Sequence, residues 1–229
     1  MVRNHLKVIT APRTWPVPRK NKVWITRPNS GAHKLSLSLS LNSVLKDILS
    51  FANTRKEVNY ILGKQEVLVD GSKRTDKKFG IGIMDTLALP LVKKYYRVMF
   101  DKFGKLSFVE ITEHESKMKP AKIVNKTCVK GGIVLNLDDG RNIPVAKDTY
   151  KTGNSVIIEL PSQKIVKQLP LQKGAYVYLI GGKHLGESGK VEELNGIHII
   201  FKTHSKLIKT LTKYALVIGE EKPEIKLSE

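Results

Sequence analysis

The spacing of apolar positions changes along the chain, and each change predicts an element. Val44, Leu45, Ile48, Leu49 and Ala52 recur at i, i+1, i+4, i+5 and i+8, one helical stripe. Asn53-Thr54 interrupts it. Thr54 and Glu57 then have the spacing of a capping box, which starts a second helix burying Val58, Ile61 and Leu62. Gly63 is a natural stop for that helix. Val67, Leu68 and Val69 favour a strand, and Asp70-Gly71 is a tight-turn dipeptide whose glycine accepts positive φ. Upstream, Leu35 to Leu41 reads LSLSLSL. Its period of 2 predicts a strand, while its place before a helix fits an extended lead-in.

From Tyr95 onward the pattern is β. Tyr95–Phe100 and Leu106–Ile111 flank a glycine-containing hairpin loop at 102–105, and Thr112 to Glu115 has the form of a single capped helical turn. Ala121–Val129 and Ile133–Leu137 flank Lys130-Gly131-Gly132, and Asp138 to Arg141 turns into Ile143–Ala146. Ser155–Leu160 and Ile165–Leu169 flank another turn, and Pro170 marks a boundary. Strands at this spacing predict a compact barrel or sandwich. Beyond it, a strand at 175–180, a loop with Gly181, Gly182, Gly186 and Gly189, and a second strand begin another small β unit.

The N-terminal stretch has neither period. Residues 1–34 contain Pro12, Pro16, Pro18 and Pro28 among basic residues, with too little apolar content for a core, which predicts a basic arm, disordered or extended until it meets a partner. Both tryptophans of the chain, Trp15 and Trp24, lie in this arm. Each is suited either to stack on a base or to pin the arm to its neighbour.

Charge turns this outline towards function. Forty Lys+Arg against 21 Asp+Glu give a net +19 in 229 residues, which calls for a polyanionic partner. Residues 1–41 hold eight basic groups and no acid, and 91–170 hold fifteen against eight, so these stretches carry most of the excess. A membrane surface fits poorly: there is no lysine-bearing helix with a broad apolar face, no run long enough to span, and no apolar export signal. Cys128 is alone in a strand-like run, so it reads as a buried thiol and builds neither a disulfide framework nor a cysteine metal site.

The basic groups cluster at places suited to phosphate. Lys73, Arg74, Lys77 and Lys78 follow the Asp70-Gly71 bend, where cations stand beside exposed backbone N–H groups. A solvated hairpin would look the same. Arg55 and Lys56 occupy a helix start, against the dipole's preference for acids, and that start offers its own N–H groups. Lys183, His184 and Lys190 stand in or beside the glycine-rich loop, which is otherwise a plain glycine turn.

Two helices, a strand and a basic turn resemble the αL motif of the S4-like RNA-binding domain. VLVDGSKRTD followed by GIGIMD, the arm HLKVITAPRTW (His5 to Trp15) and RPNSGAHKL (Arg27 to Leu35) resemble the small-subunit ribosomal protein family S4e of archaea and eukaryotes. The segment around Gly181 resembles a KOW motif. The resemblance follows the family's order over nearly the whole chain, and the short tail and length look archaeal. It implies a multidomain α+β, mostly β fold. The expected parts are a basic arm (1–41), an S4-like domain (42–90), a central β-barrel-like domain (91–170), an SH3-like KOW barrel (171–219) and a polar tail (220–229). The implied function is that of a structural constituent of the ribosome in the cytoplasm. Its expected partners are small-subunit ribosomal RNA and neighbouring ribosomal proteins, with no membrane, cofactor, metal or small-molecule substrate. The residues expected at RNA are Lys7, Arg13, Trp15, Arg19, Lys20, Arg27, His33 and Lys34 in the arm, then Arg55, Lys56, Lys73, Arg74, Thr75, Lys77 and Lys78. Lys183, His184 and Lys190 complete the set.

No catalytic pattern competes with this reading. The 181–190 loop lacks P-loop spacing, and Gly80-Ile81-Gly82 lacks the third glycine and βαβ setting of a dinucleotide site. The six histidines form no pair at i, i+3 or i+4, and Asp70, Asp76 and Asp85 are the one tempting carboxylate group. An RNA-modifying enzyme with an S4-like domain would need its chemistry in 91–170, where there is no constellation. A KOW-containing transcription or translation factor is the other alternative, and it would bind only transiently.

Overall fold

The computed structural model describes residues 4–64, 66–130, 132–146, 148–203 and 206–227. The chain divides into two compact units, Met1–Asp101 with Lys105–Ser116, and Lys102–Gly104 with Lys117–Glu229.

In the first unit the arm is folded. β1 (Leu6–Lys7) pairs antiparallel with β2 (Trp24–Ile25), and Val8, Ala11, Trp15, Val17 and Ile25 are buried. The Arg19 guanidinium donates to the carbonyls of Ile9, Ala11 and Pro12 at 3.0–3.1 Å, fastening the proline-broken loop across its middle. This overturns the expectation of a coreless arm. Prolines bar long regular elements but do not prevent a loop from burying an aromatic ring and satisfying its carbonyls with one arginine.

The serine–leucine repeat is only briefly a strand, β3 (Ser38–Ser40), and all three of its residues are buried. Period 2 fails to separate faces because the serines have internal partners. Ser38 Oγ donates to Lys34 O (3.1 Å), and Ser40 Oγ donates to Thr26 O (3.2 Å) while accepting from Ser43 N at the following helix start. That helix, α1 (Leu41–Ser43), continues as a wider turn over Val44–Ile48, where Leu49 N–H reaches back five residues to Val44 O. The wide turn keeps Val44, Leu45 and Ala52 in the core.

α2 (Arg55–Lys64) begins at the expected capping box. Glu57 N–H donates to Thr54 Oγ1 (3.2 Å), and Glu57 Oε2 accepts from Asn53 N–H (2.7 Å). These bonds hold the exposed Glu57 carboxyl below its usual range, the Asn53 bond most strongly. The helix runs past Gly63, which does not act as its stop.

β4 (Leu68–Val69) and β5 (Ser72–Lys73) pair as Leu68↔Lys73 and Val69↔Ser72 across Asp70-Gly71. Both turn residues have positive φ, 51° and 73°, the conformation that suits a two-residue hairpin. β6 (Gly80–Gly82) pairs with β3, and β7 (Thr86–Leu89) leads to β8 (Lys94–Phe100), β9 (Leu106–Glu110) and the capped turn α3 (Glu113–Ser116). The main sheet has the order β5-β4-β7-β8-β9, so the expected boundary between residues 90 and 91 falls within one sheet.

The second unit is almost entirely antiparallel. β10 (Met118–Val129), β11 (Gly132–Leu137), β12 (Asn142–Val145), β13 (Ser155–Glu159) and β14 (Ile165–Leu169) form the order β12-β11-β10-β13-β14. β10 is shared by two halves of a curled sheet, residues 118–122 pairing with β13 and residues from Ile123 onward with β11. The register slips between Ile123 and Asn125, a bulge that bends the strand. Past the bend the strand leaves the core, so Cys128 is exposed rather than buried.

β15 (Tyr176–Leu179), β16 (Ser188–Asn195), β17 (His198–Thr203), β18 (Lys206–Leu211) and β19 (Ala215–Gly219) form a second sheet in the order β18-β17-β16-β15-β19. Ile157 and Leu169 of the first sheet pack into one core with Val177, Val191, Phe201 and Val217 of the second. Polar links join the sheets as well. Val217 N–H donates to Ser155 Oγ (2.9 Å), and the buried Lys122 Nζ donates to the carbonyls of Thr212, Lys213 and Ala215 at 2.7–3.1 Å. The polar tail is partly structural: Ile225 is buried and Lys167 Nζ holds Glu224 at 2.7 Å.

Candidate nucleic-acid interface

The basic hairpin is built by hydrogen bonds that leave its cations outside. Asp70, buried in the turn, accepts from Thr86 N–H through Oδ1 (2.9 Å). Asp76 Oδ1 accepts from Lys78 N–H (2.9 Å) and Oδ2 from Asn29 Nδ2 (2.7 Å), which ties the loop to the arm. Asp85 Oδ2 accepts from Gly82 N–H (2.7 Å), and Oδ1 meets His33 Nε2 at 3.0 Å. All three carboxylates thus serve the backbone or a neighbouring side chain. Among the described residues, no group of three or more His, Cys, Asp or Glu is placed to hold a metal ion.

With the loop so fixed, Lys73 and Thr75 are exposed and Lys77 and Lys78 half-buried. The Arg74 guanidinium lies 4.5 Å from the Phe79 ring centroid, with no hydrogen-bond partner for Nε. Arginine stacked on a ring is held in one orientation, which suits a phosphate contact.

A cleft of about 500 Å³ opens in the same unit. Its lining draws Lys22, Trp24 and Arg27 from the arm, Asn42 and Lys46 from the first helix, Arg55 from the start of α2 and Lys78 from the basic loop. Among the described lining residues Asp47 is the one carboxylate, and Lys22 Nζ pairs with it at 2.6 Å. Trp24 is 55% exposed, with Lys7 Nζ 5.8 Å from its ring centroid and the His5 ring edge-on at 5.7 Å.

Other expected residues have structural roles. Trp15 is 1% exposed, and its indole N–H donates to Leu35 O (3.2 Å), so this ring pins the arm and is closed to a base. Arg19 fastens the arm's carbonyls. His33 packs on Gly82 so closely that a Cβ there would fall 2.1 Å from the ring, which explains the glycine in Gly80-Ile81-Gly82. The start of α2 offers less to a phosphate than expected, because the capping box occupies N–H groups and adds the Glu57 carboxylate. Arg13, Lys20, Lys34 and Lys56 are exposed, outside the cleft lining.

In the second unit, Lys183 and Lys190 are exposed, and His184 Nδ1 sits 3.0 Å from Glu187 Oε1. Gly181 is required by packing, since a Cβ there would approach the Tyr214 ring to 2.5 Å. Gly182 and Gly186 adopt φ of 89° and 88°.

The family model Ribosomal family S4e matches residues 92–165, and the RS4NT (NUC023) domain matches residues 2–36. Small ribosomal subunit protein eS4 of Methanosphaera stadtmanae is 40% identical over 232 residues, spanning 98% of this chain and 96% of that protein. The chain belongs to the ribosomal S4e family. The eS4 protein of Methanocaldococcus jannaschii is 39% identical over 240 residues, 98% of each chain. In solved structures, the 30S ribosomal protein S4e of Thermoplasma acidophilum matches with a TM-score of 0.70 at 26% identity, covering 80% of this chain and 96% of that one.

Within this S4e chain, sequence reasoning missed Lys22 and Lys46 as members of the cleft and expected Trp15, not Trp24, at RNA. Residue type carried no signal for either. Alternation within the short β2 strand, where Ile25 is buried and Trp24 exposed, was the available cue.

Proposed function

We propose that this protein is a structural, RNA-binding constituent of the small ribosomal subunit, working in the cytoplasm without catalytic turnover. Its partners are small-subunit ribosomal RNA and neighbouring ribosomal proteins. The near-full-length relationship to eS4 proteins carries this reading. The first unit supplies the main contact: Lys73, Arg74, Thr75, Lys77 and Lys78 meet phosphates beside the hairpin, with Arg27, Arg55 and Lys7 extending the surface. The mechanism is electrostatic and geometric. Cations on a rigid scaffold displace counterions from folded RNA, whose helices are recognised by shape and backbone.

The region 42–90 serves as an S4-like RNA-binding element. The 171–219 region serves as an SH3-like KOW barrel, a reading supported by the order β18-β17-β16-β15-β19 and the tight turn Thr212–Tyr214 before the last strand. Lys183 and Lys190 are its RNA-facing cations.

Sedimentation of a cell lysate through a high-salt cushion tests the proposal. A structural constituent travels with the small subunit in stoichiometric amount. Recovery at the top of the cushion would mark a transient factor instead. No helix among the described residues is long and apolar enough to cross a membrane.

A further inference from the structure

The exposed Lys73 and Thr75 of the basic hairpin are suited to the backbone of a duplex. The cleft is different. It places Lys22, Arg27, Lys46, Arg55 and Lys78 around a concavity whose wall carries the exposed ring of Trp24. We propose that this cleft holds one unpaired nucleotide of the bound RNA, its base stacked on Trp24 and its flanking phosphates met by Arg27, Arg55 and Lys78.

Several observations favour this occupant. A base-paired helix hides its base faces in the stack, so an exposed indole in a basic cleft has no use for one. An extruded nucleotide presents a π-face and two phosphates together. The volume of about 500 Å³ suits a small-molecule-sized guest, given that such clefts run roughly 300–1,000 Å³. Among the described lining residues cations outnumber Asp47, which Lys22 already partners, so the wall is basic. The ring is also held in place: the β1–β2 pairing fixes its backbone and His5 abuts its edge. The other tryptophan, Trp15, is buried with its N–H satisfied, so Trp24 alone can answer to a base.

The inference rests on the RNA-binding reading and is tested apart from it. Two short RNA hairpins are compared, identical except that one carries a single unpaired adenosine. The full chain should bind the bulged hairpin roughly tenfold more tightly, the scale of one base–aromatic stack. Its tryptophan emission should be quenched only by that hairpin. Trp24→Leu should abolish both the preference and the quenching while leaving affinity for the plain hairpin unchanged. The Arg27→Gln/Arg55→Gln double variant should weaken the bulged hairpin more than the plain one.

Equal binding of the two hairpins with unaltered emission would overturn the proposal and leave the RNA-binding reading standing. In that event, quenching of Trp24 by an acidic peptide would assign the cleft to a protein segment. Failure to bind either hairpin or whole small-subunit RNA would instead remove the reading beneath it.

Discussion

The two units use their basic residues differently. In the first, Lys73 and Arg55 are exposed, and half-buried lysines line one cleft with an exposed tryptophan. The second turns two of its lysines inward. Lys119, 2% exposed, meets Asp139 Oδ2 at 3.2 Å, and Lys122 fastens one β-sheet to the other through three carbonyls. The first unit buries a cation as well: Arg97 in β8 donates to Glu115 O at 2.7 Å, and burial pulls its guanidinium down to about 10 against the pull of Glu115 and Asp70. All three belong to the 91–170 stretch that formal charge marks as a major source of the field. Net charge therefore overstates what that stretch offers a partner. Position, and not number, decides which cations act on RNA.

The largest test of this contrast uses the two tryptophans. Trp15→Ala should cost about 3–5 kcal/mol of stability, as for a large buried aromatic, and open the arm to protease. Trp24→Ala should stay within ~0.5 kcal/mol, as for an exposed side chain. Urea unfolding of both variants checks this, and equal losses would erase the distinction between pinned and presented rings.

Next in size is the inward lysine. Lys122→Met removes the donor to three carbonyls, that of Ala215 buried, and should cost on the order of 1–3 kcal/mol. Burial, opposed by Asp138, lowers the Lys122 ammonium from 10.5 to about 8 in the fold. Between those values the unfolded chain holds a proton that the folded chain has released, so this group makes stability rise with pH. Below about 8 both states are protonated and its contribution is flat. Urea midpoints of wild type minus Lys122→Met, measured across that window, should climb; a level difference would mean that Lys122 keeps its ordinary value.

Salt dependence separates outward cations from one another. Lys73→Gln/Arg74→Gln should flatten the slope of log affinity against log salt by about 0.7–0.9 per lost phosphate contact. Lys206, Lys209 and Lys213 are exposed in the second unit, and their triple Gln variant, though it removes more charge, should change the slope less. If the slope instead tracks total charge removed, the hairpin is one part of a diffuse field.

The smallest effect is expected at the glycine-rich loop. Lys183→Gln should leave stability within ~0.5 kcal/mol and lower the salt slope by no more than a single contact. Gly181→Ala should instead destabilise, because its missing Cβ makes room for Tyr214. Binding lost without loss of stability in Gly181→Ala would return that glycine to the ligand.

Local chemistry was legible where a few adjacent residues settle the outcome. The Thr54–Glu57 capping box, the Asp70-Gly71 turn with both φ values positive, and the strand pairs from Tyr95 to Leu169 all stand close to where spacing puts them. The mostly β class, the polyanionic partner and the family follow from the same local wording, since turn residues, alternation and charge need no distant partner.

Long-range contacts decided the rest. Proline density pointed to a loose arm, yet Trp15 found a carbonyl 20 residues away and Arg19 found three. Alternation in the serine repeat promised two faces, yet Ser40 found Thr26 and lost its solvent side. Cys128 looked like core until a bulge carried its strand beyond it. The cleft joins residues from 4 to 78, so no window of sequence contains it. Burial and proximity are properties of the packed chain. A lysine that ties two sheets and a lysine that awaits a phosphate are the same letter until packing assigns their neighbours.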